Sequence, residues 1–400
     1  MEKLLVGGAV RDKLLGKTPS DLDYLVLGAT EQELLDLGYK RIKKDFPVFL
    51  DPDTGDECSL PRQEVSTGPG YTDFVTKTDG VTVREDLKRR DFTINAMAMK
   101  NCGEVVDPFG GRDDLEKGVI RHTSEAFGED PLRVFRLARF QAKFPDFVIA
   151  DETFELAKSI DVSYLPGQRV YAEMLKAFKT KRPDLFFVTL KNLGQLGVWF
   201  PELEAMVGVE HNNSHHLEGD VFNHTMMVLH EARKLTDKPE VLIGALLHDM
   251  GKPVSVLKYG DMYKHDDFEL FMPLLETAAK RLSFPKKVKR AVMQAAKYHH
   301  FVHKLDEVKA TTIVKKMAQK DFPRNKMELF DLVYVSVADA LGRIDTDKTP
   351  SALEVLKKYV IVFDYFAAFH SVNVKDLKGL PVQRVKSELH QRRVSAAKSV

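Results

Sequence analysis

Cysteine is nearly missing from this chain of 400 residues: Cys58 and Cys102 are the only two. That number excludes a disulfide framework and a cysteine-based zinc site, and suits reduced thiols in a cytoplasmic protein. An excess of one charge is missing too, since 60 Lys and Arg face 59 Asp and Glu for a formal net charge of +1. This balance neither demands nor excludes a nucleic-acid partner, because a basic surface can sit inside a neutral total. No apolar run approaches the ~20 residues that span a bilayer. The opening MEKLLVGGAVRD is interrupted by Arg11 and Asp12 too soon for a signal peptide. A soluble, cytoplasmic protein without a membrane partner is expected. The composition is ordinary globular, with 44% hydrophobic and 30% charged residues, 24 Gly and 18 Pro. The length exceeds what one core can organise, so two or more domains are expected.

What is present falls into two halves. Up to about Arg112, short β-rich runs alternate with helical patterns: Lys3–Val6, Leu22–Leu27, Pro47–Leu50, Val81–Val83 and Val105–Val106 read as strands. Val10–Leu15 reads as a helix, and Thr30 to Glu33 has capping-box spacing ahead of another. Val65–Asp73 is turn-rich and reads as a loop. Beyond Arg112, apolar residues recur at helical spacing, as in Leu132–Phe140 and Val170–Phe178, with joints expected at Pro166-Gly167 and Phe200-Pro201. Seven Lys and Arg between Lys375 and Lys398 form either a solvated helix face or a contact for RNA phosphates.

Gly7 to Asp12 (GGAVRD) stands where a strand hands over to a helix, where glycines let backbone N–H groups approach a phosphate. Asp21 and Asp23 follow, two apart in a strand and therefore on one face. Adjacent carboxylates repel unless a divalent cation neutralises them, and Mg²⁺ prefers such oxygens together with substrate phosphates. Alone, such a pair is more often a solvated edge; the glycine turn upstream strengthens the catalytic reading. The segment Arg84–Ala96 carries clustered cations that suit a triphosphate or, equally, a charged surface helix. In Glu129–Phe140, Pro131 suits a helix start with Asp130 as its cap. Arg133, Arg136 and Arg139 then line one face, which calls for anionic partners.

In the helical half, ten of thirteen histidines lie between His211 and His303. His216, Asp220 and His224 would share one helical face if a helix starts that early. ALLHDMGK places His248 and Asp249 at the end of an apolar helix; His299, His300 and Asp339 follow. Imidazoles mixed with carboxylates suit a transition metal with open water positions. His211, His215, His300 and His303 read as surface residues.

The blocks GGAVRD, DLD, RRDFTINAMA, DPFGGRDDL, EDPLRVFRLARF and Gln168-Arg169-Val170, in this order, resemble the class II tRNA nucleotidyltransferases. These are the CCA-adding enzymes of the polymerase-β-like superfamily, and the likeness covers the whole chain. The order His…His-Asp…His…Asp resembles the HD phosphohydrolases. The resemblance implies an α+β fold: a polymerase-β-like head of mixed sheet and helices (1–140), an all-α neck (141–205), an HD-type body (206–345) and a helical tail (346–400). It implies that Asp21 and Asp23 bind catalytic Mg²⁺. Gly8, Arg11, Arg90, Arg136 and Arg139 would hold the incoming nucleotide, and Asp130 with Arg133 would select its base. His224, His248, Asp249 and Asp339 would ligate a divalent transition metal such as Ni²⁺, or Mg²⁺, with His265 and His299 around that centre or on a second ion. Implied partners are the tRNA 3′ end, CTP and ATP, for a monomer or homodimer. A poly(A) polymerase, an enzyme adding only CC or only A, and a non-catalytic tRNA-binding protein are the alternatives. The retained carboxylate pair and the Asp130–Arg133 pair weigh against the last.

Overall fold

The computed structural model describes residues 1–42, 46–66, 74–210, 219–343, 351–372, 374–377 and 381–400. Two compact units meet in sequence at Pro166–Gly167, the Pro-Gly pair read as a joint. Most of the turn-rich stretch, 67–73, and His211, His215, His216 and Lys378 lie outside the described residues.

The first unit runs β1 (Glu2–Val6), α1 (Gly8–Leu14), β2 (Asp23–Leu27), α2 (Glu31–Asp36), β3 (Lys40–Arg41), β4 (Val48–Leu50), β5 (Glu57–Ser59), β6 (Gln63–Ser66), β7 (Phe74–Lys77) and α3 (Val83–Lys88). It continues through β8 (Ala98–Met99), β9 (Val105–Val106), α4 (Gly111–Lys117), β10 (Val119–Ile120), α5 (Leu132–Lys143), β11 (Val148–Ile149) and α6 (Asp151–Ser159). Seven strands form one sheet in the order β3-β4-β5-β2-β1-β8-β9. It is mixed: β2 pairs with β5 in parallel and with β1 antiparallel. Successive side chains of β2 enter different cores, as the period of two requires. Leu25 packs with Leu4, Val6 and Leu87, and Val26 with Leu34, Phe49 and Cys58. The sheet is thus covered on both faces. Burial pushes the Cys58 thiol up to about 11, which keeps it inert.

Caps decide two element starts. Thr30 accepts from Glu33 N, and Glu33 returns the bond to the Thr30 backbone, closing the expected capping box of α2. Val81–Val83, expected as a strand, instead leads into α3, which starts at Val83. Thr82 and Glu85 form a second capping box there, and this local cap outweighs the β-branched valines. The short parallel pair β10–β11 lies beyond Arg112, where helical spacing dominates, and β11 falls within the stretch expected as an all-α neck.

The second unit is all helix: α7 (Gly167–Phe178), α8 (Asp184–Asn192), α9 (Leu196–Trp199), α10 (Pro201–Glu204), α11 (Val221–Leu235), α12 (Pro239–Leu247), α13 (Lys252–Tyr259), α14 (Phe268–Arg281), α15 (Lys286–His303), α16 (Ala310–Met317), α17 (Lys326–Leu341), α18 (Ala352–Tyr359), α19 (Ile361–Ser371) and α20 (Val382–Ala397). Helix α12 is buried from Val241 to Leu247. An all-round apolar helix belongs at the centre of a domain. At Gly244 a Cβ would stand 3.2 Å from Val335 of α17 and 3.4 Å from Ala295 of α15, so the missing side chain brings three helices close. Their ends converge on one polar cluster.

Candidate active sites

In the first unit, Gly7 turns β1 into α1 with φ +70°, a conformation glycine adopts without strain. Asp23 begins β2, and Asp21 precedes it by two residues; both are exposed. Ser20 Oγ donates to Asp21 Oδ2 at 2.8 Å. Asp23 also pairs in register with Glu57 of the parallel strand β5. This third carboxylate, 34 residues on, could not be aligned from sequence without the strand register.

The predicted arginines gather around carboxylates that sequence reasoning missed. Asp86 is fully buried and accepts from Arg89 Nη2 at 2.7 Å and Arg90 Nη2 at 3.1 Å. Asp91 accepts from Arg136 Nε at 2.8 Å and Nη2 at 2.5 Å, and from Asn95 Nδ2 at 3.0 Å. Asn95 Oδ1 accepts in turn from buried Arg11 at 2.5 Å. Burial alone would raise the Asp91 carboxyl, but Arg136, Asn95 and Arg133 hold it at about 2. One chain of bonds therefore ties α1, the RRDFTINA segment and α5. Arg133 donates to the carbonyls of Ala126 (2.7 Å) and Arg89 (2.5 Å). Asp130 Oδ1 accepts from Leu132 N at 3.1 Å, with Pro131 at the N-cap. Arg139 packs on Phe140, 4.9 Å from its ring centre. Because Arg136 already has a protein carboxylate, the arginine face of α5 does not by itself require an anionic ligand. Gly8 lies where a Cβ would stand 3.3 Å from Arg11 Nη2.

In the second unit, α11 supplies His224, the α12–α13 turn His248 and Asp249, the 260–267 loop His265, α15 His299 and α17 Asp339. All six residues are buried. His224 Nε2 lies 3.0 Å from Asp339 Oδ1 and 3.8 Å from Asp249 Oδ2; His248 Nε2 lies 3.1 Å from Asp249 Oδ2. His265 and His299 stand 3.5 and 3.6 Å from Asp249 Oδ1. Helix α11 starts at Val221 with Asp220 as its N-cap, accepting from Asn223 N. Asp220 therefore caps the helix and does not share its inward face with His224.

Gly251 explains how His265 gets in: a Cβ there would sit 2.0 Å from the His265 carbonyl oxygen. Three rings are aimed by backbone. His248, His265 and His299 place Nδ1 2.8 Å from the carbonyls of Ala245, Met262 and Ala295. A carbonyl only accepts, so each Nδ1 carries a proton and each Nε2 faces the centre. His303, read as a surface residue, is 10% exposed and sets Nε2 2.5 Å from Asp339 Oδ2.

The donors form two overlapping groups, His224–His248–Asp339 and His248–Asp249–His299, each with its ligand atoms within 4.8 Å of one another. His248 Nε2 and both carboxylate oxygens of Asp249 are buried without a well-aligned hydrogen bond. Lys252 Nζ lies 2.6 Å from Asp249 Oδ2 and offsets part of this buried charge, and a divalent cation among the inward nitrogens and oxygens would satisfy the rest. Burial opposes a proton on His248, yet Asp249 and Asp339 raise its pKa to about 10; burial and His248 keep His299 neutral. This mixed nitrogen and oxygen donor set fits a divalent ion.

Residues 3–121 match the Poly A polymerase head domain family, 146–207 the family described as Probable RNA and SrmB- binding site of polymerase A, and 221–344 the HD domain family. The fold and the two sites thus define a nucleotidyltransferase of the polymerase-head class that carries an HD domain. The chain is 38% identical to the Multifunctional CCA protein of Haemophilus influenzae (strain PittGG), covering 100% of this chain and 98% of that one. It is also 38% identical to that of Hahella chejuensis (strain KCTC 2396), covering 100% and 95%. The Bacillus stearothermophilus CCA-adding enzyme in complex with CTP has the same fold, with a TM-score of 0.65 at 19% identity over 99% of this chain and 89% of that one. This chain belongs to the multifunctional CCA protein family, the CCA-adding nucleotidyltransferases with an HD domain.

Proposed function

We infer that this protein adds C, C and A to the 3′ end of tRNA from CTP and ATP, releasing pyrophosphate, and that its HD half hydrolyses phosphate esters at RNA or nucleotide ends. The observation that carries the reading is full-length identity of 38% to a Multifunctional CCA protein. Residues 1–140 act as the transferase head, 141–205 as the neck, 206–345 as the hydrolase body and 346–400 as the tail. The enzyme works in the cytoplasm.

Asp21 and Asp23 would hold Mg²⁺, which when bound would neutralise phosphate charge and acidify the attacking hydroxyl. The terminal ribose 3′ oxygen attacks the α-phosphorus. The new P–O bond forms as the bond to pyrophosphate breaks, and the hydroxyl proton passes to solvent. Arg11, Arg90, Arg136 and Arg139, with the Gly8 turn, position the triphosphate. Asp86 and Asp91 hold three of these side chains in place. Cytosine and adenine both present an amino donor beside a ring-nitrogen acceptor. Asp130 accepts from the first and Arg133, aimed by two carbonyls, donates to the second. Uracil and guanine would leave both groups mismatched, at ~1–3 kcal/mol for each buried unpaired group.

In the HD half, His224, His248, Asp249 and Asp339 would hold a transition ion such as Ni²⁺, or Mg²⁺, which when bound would acidify a water for attack near neutral pH. His265 and His299 complete the donor shell or hold a second ion. Hydrolysis joins the water oxygen to phosphorus, breaks the ester P–O bond and returns a proton to the leaving ribose oxygen. The substrates are phosphomonoesters and 2′,3′-cyclic phosphates.

The deciding assay offers tRNA transcripts ending at the discriminator base, at CC and at CCA, with CTP, ATP, both, or UTP and GTP. Extension by three, one and zero nucleotides is expected. Asp21→Ala with Asp23→Ala should abolish it. Long A-tails on any RNA would instead make the head a poly(A) polymerase, and a stop at CC a partial enzyme.

A further inference from the structure

Two cavities open beside the His/Asp centre. The first, about 300 Å³, is lined by His303, Lys304, Arg343 and Lys358, with Glu307 as its carboxylate. The second, about 540 Å³, is lined by Tyr263, Lys264, Phe268 and Lys316, with Asp266 and Asp267. His300 and Lys304 line both cavities, so the two adjoin at the end of α15 as the two sides of a cleft.

The cleft touches the buried centre directly. His303 and Arg343 both reach Asp339 Oδ2, at 2.5 and 3.2 Å, and the His300 ring lies 5.7 Å from that of His265. Its cations outweigh its anions. Asp267 is occupied in capping α14. Lys358 approaches Asp306 at 3.8 Å, but both side chains are more than half exposed, a pairing that a ligand displaces at little cost. Lys304, Lys264 and Lys316 have no carboxylate partner among the described residues. Beside these cations the cleft exposes aromatic surface: Tyr263 is 75% and Phe268 42% accessible. Cations for a backbone next to an aromatic plate for a base make the combination that binds single-stranded nucleic acid.

We propose that this cleft holds a phosphorylated nucleotide end, with the terminal phosphate on Lys304, Lys358 and Arg343 at the lip of the His/Asp centre and the adjoining base stacked on Tyr263. The phosphate then lies next to Asp339, where the hydrolase reading needs it, and the proposal rests on that reading for the fate of the phosphate. Two sources share this chemistry, a free mononucleotide and the 3′-phosphorylated end of an RNA strand.

The test titrates the full chain in EDTA, so that no turnover intervenes, with inorganic phosphate, cytidine 3′-monophosphate and a five-nucleotide RNA ending in a 3′-phosphate. Lys304→Gln with Lys358→Gln should weaken all three about fivefold or more and reduce the salt slope of RNA binding by about two. Tyr263→Ala should weaken both nucleotide probes about tenfold and leave phosphate unchanged. RNA binding more tightly than the mononucleotide assigns the cleft to RNA ends; equal affinity assigns it to free nucleotides. In Ni²⁺ the same variants should raise KM for phosphate release and leave kcat within about twofold. A wild-type protein that binds none of the probes, or variants that bind like wild type, would overturn the proposal. Tight, variant-sensitive binding without phosphate release by the wild type sinks the hydrolase reading and leaves the binding site standing.

Discussion

The two halves keep their ionisable groups in opposite states. In the head, Asp21 and Asp23 face solvent, while Arg90, Arg136 and Arg11 are already tied to Asp86, Asp91 and Asn95. In the HD half, every central residue is buried, and both oxygens of Asp249 lack an aligned hydrogen bond. The head is finished without its ligands: its cations are balanced, and substrates and ions can come and go. The HD centre is only partly balanced: Lys252 lies 2.6 Å from Asp249, and Arg343 and His303 reach Asp339, yet the inward His248 Nε2 and the Asp249 oxygens still lack an aligned partner, which an ion would supply. A site that exchanges substrate at each step suits the first design, and a resident metal suits the second.

The sharpest way to break this contrast is to remove one centre at a time. Asp339→Ala should empty the HD half of divalent metal, read by elemental analysis of the purified protein. It should lower phosphate release by more than about 100-fold and leave CCA addition within about twofold, since a bound ion supplies several kcal/mol. The head pair, Asp21→Ala with Asp23→Ala, should do the reverse, with CCA addition down about 1000-fold or more. If either variant loses both activities, the halves are not independent.

A smaller effect compares two glycines. Gly251→Ala drives a Cβ to 2.0 Å from the His265 carbonyl oxygen. It should destabilise the helical half by about 1–3 kcal/mol in urea unfolding and weaken metal retention. Gly8→Ala meets only the far end of the Arg11 side chain, at 3.3 Å. Its unfolding midpoint should match wild type closely; equal losses at the two positions would erase the distinction.

The smallest effect lies in the head's internal pairing. The Asp91 carboxyl sits at about 2 in the folded chain, against about 3.9 when unfolded. A depressed pKa contributes stability that is complete above pH ~4 and is lost as pH falls toward 2. That amounts to roughly 2 kcal/mol. Asp91→Asn should therefore be less stable at pH 7 by about that amount and show a flatter acid limb between pH 4 and 2. It should also raise KM for CTP through misplaced Arg136. Parallel acid limbs in variant and wild type would count against the pairing.

Much of this was legible from residue order alone. The capping box started α2, and the His…His-Asp…Asp spacing picked out residues that do converge, whereas β2 begins only at Asp23, so the strand period does not extend to Asp21. The misses share a cause. Val81–Val83 was read by propensity where a cap ruled. His303, the third histidine on a charged helix end, looked like surface until Asp339 of another helix was found against it. Asp86, Asp91 and Asn95 sit inside a segment whose arginines drew the attention; Asp86 pairs locally with Arg89 and Arg90, but Asp91 and Asn95 find Arg136 and Arg11 on other elements.

The sequence by itself determined the alternation of strand and helix, the motif order and the residue types that can bind phosphate or metal, because these depend on local periodicity and on side-chain chemistry. Only the tertiary structure decided which charges are paired and which are left for a ligand. Arg136 finds Asp91 45 residues away and Asp249 finds no aligned donor, since burial and partner geometry arise when distant segments pack, and no local pattern encodes them.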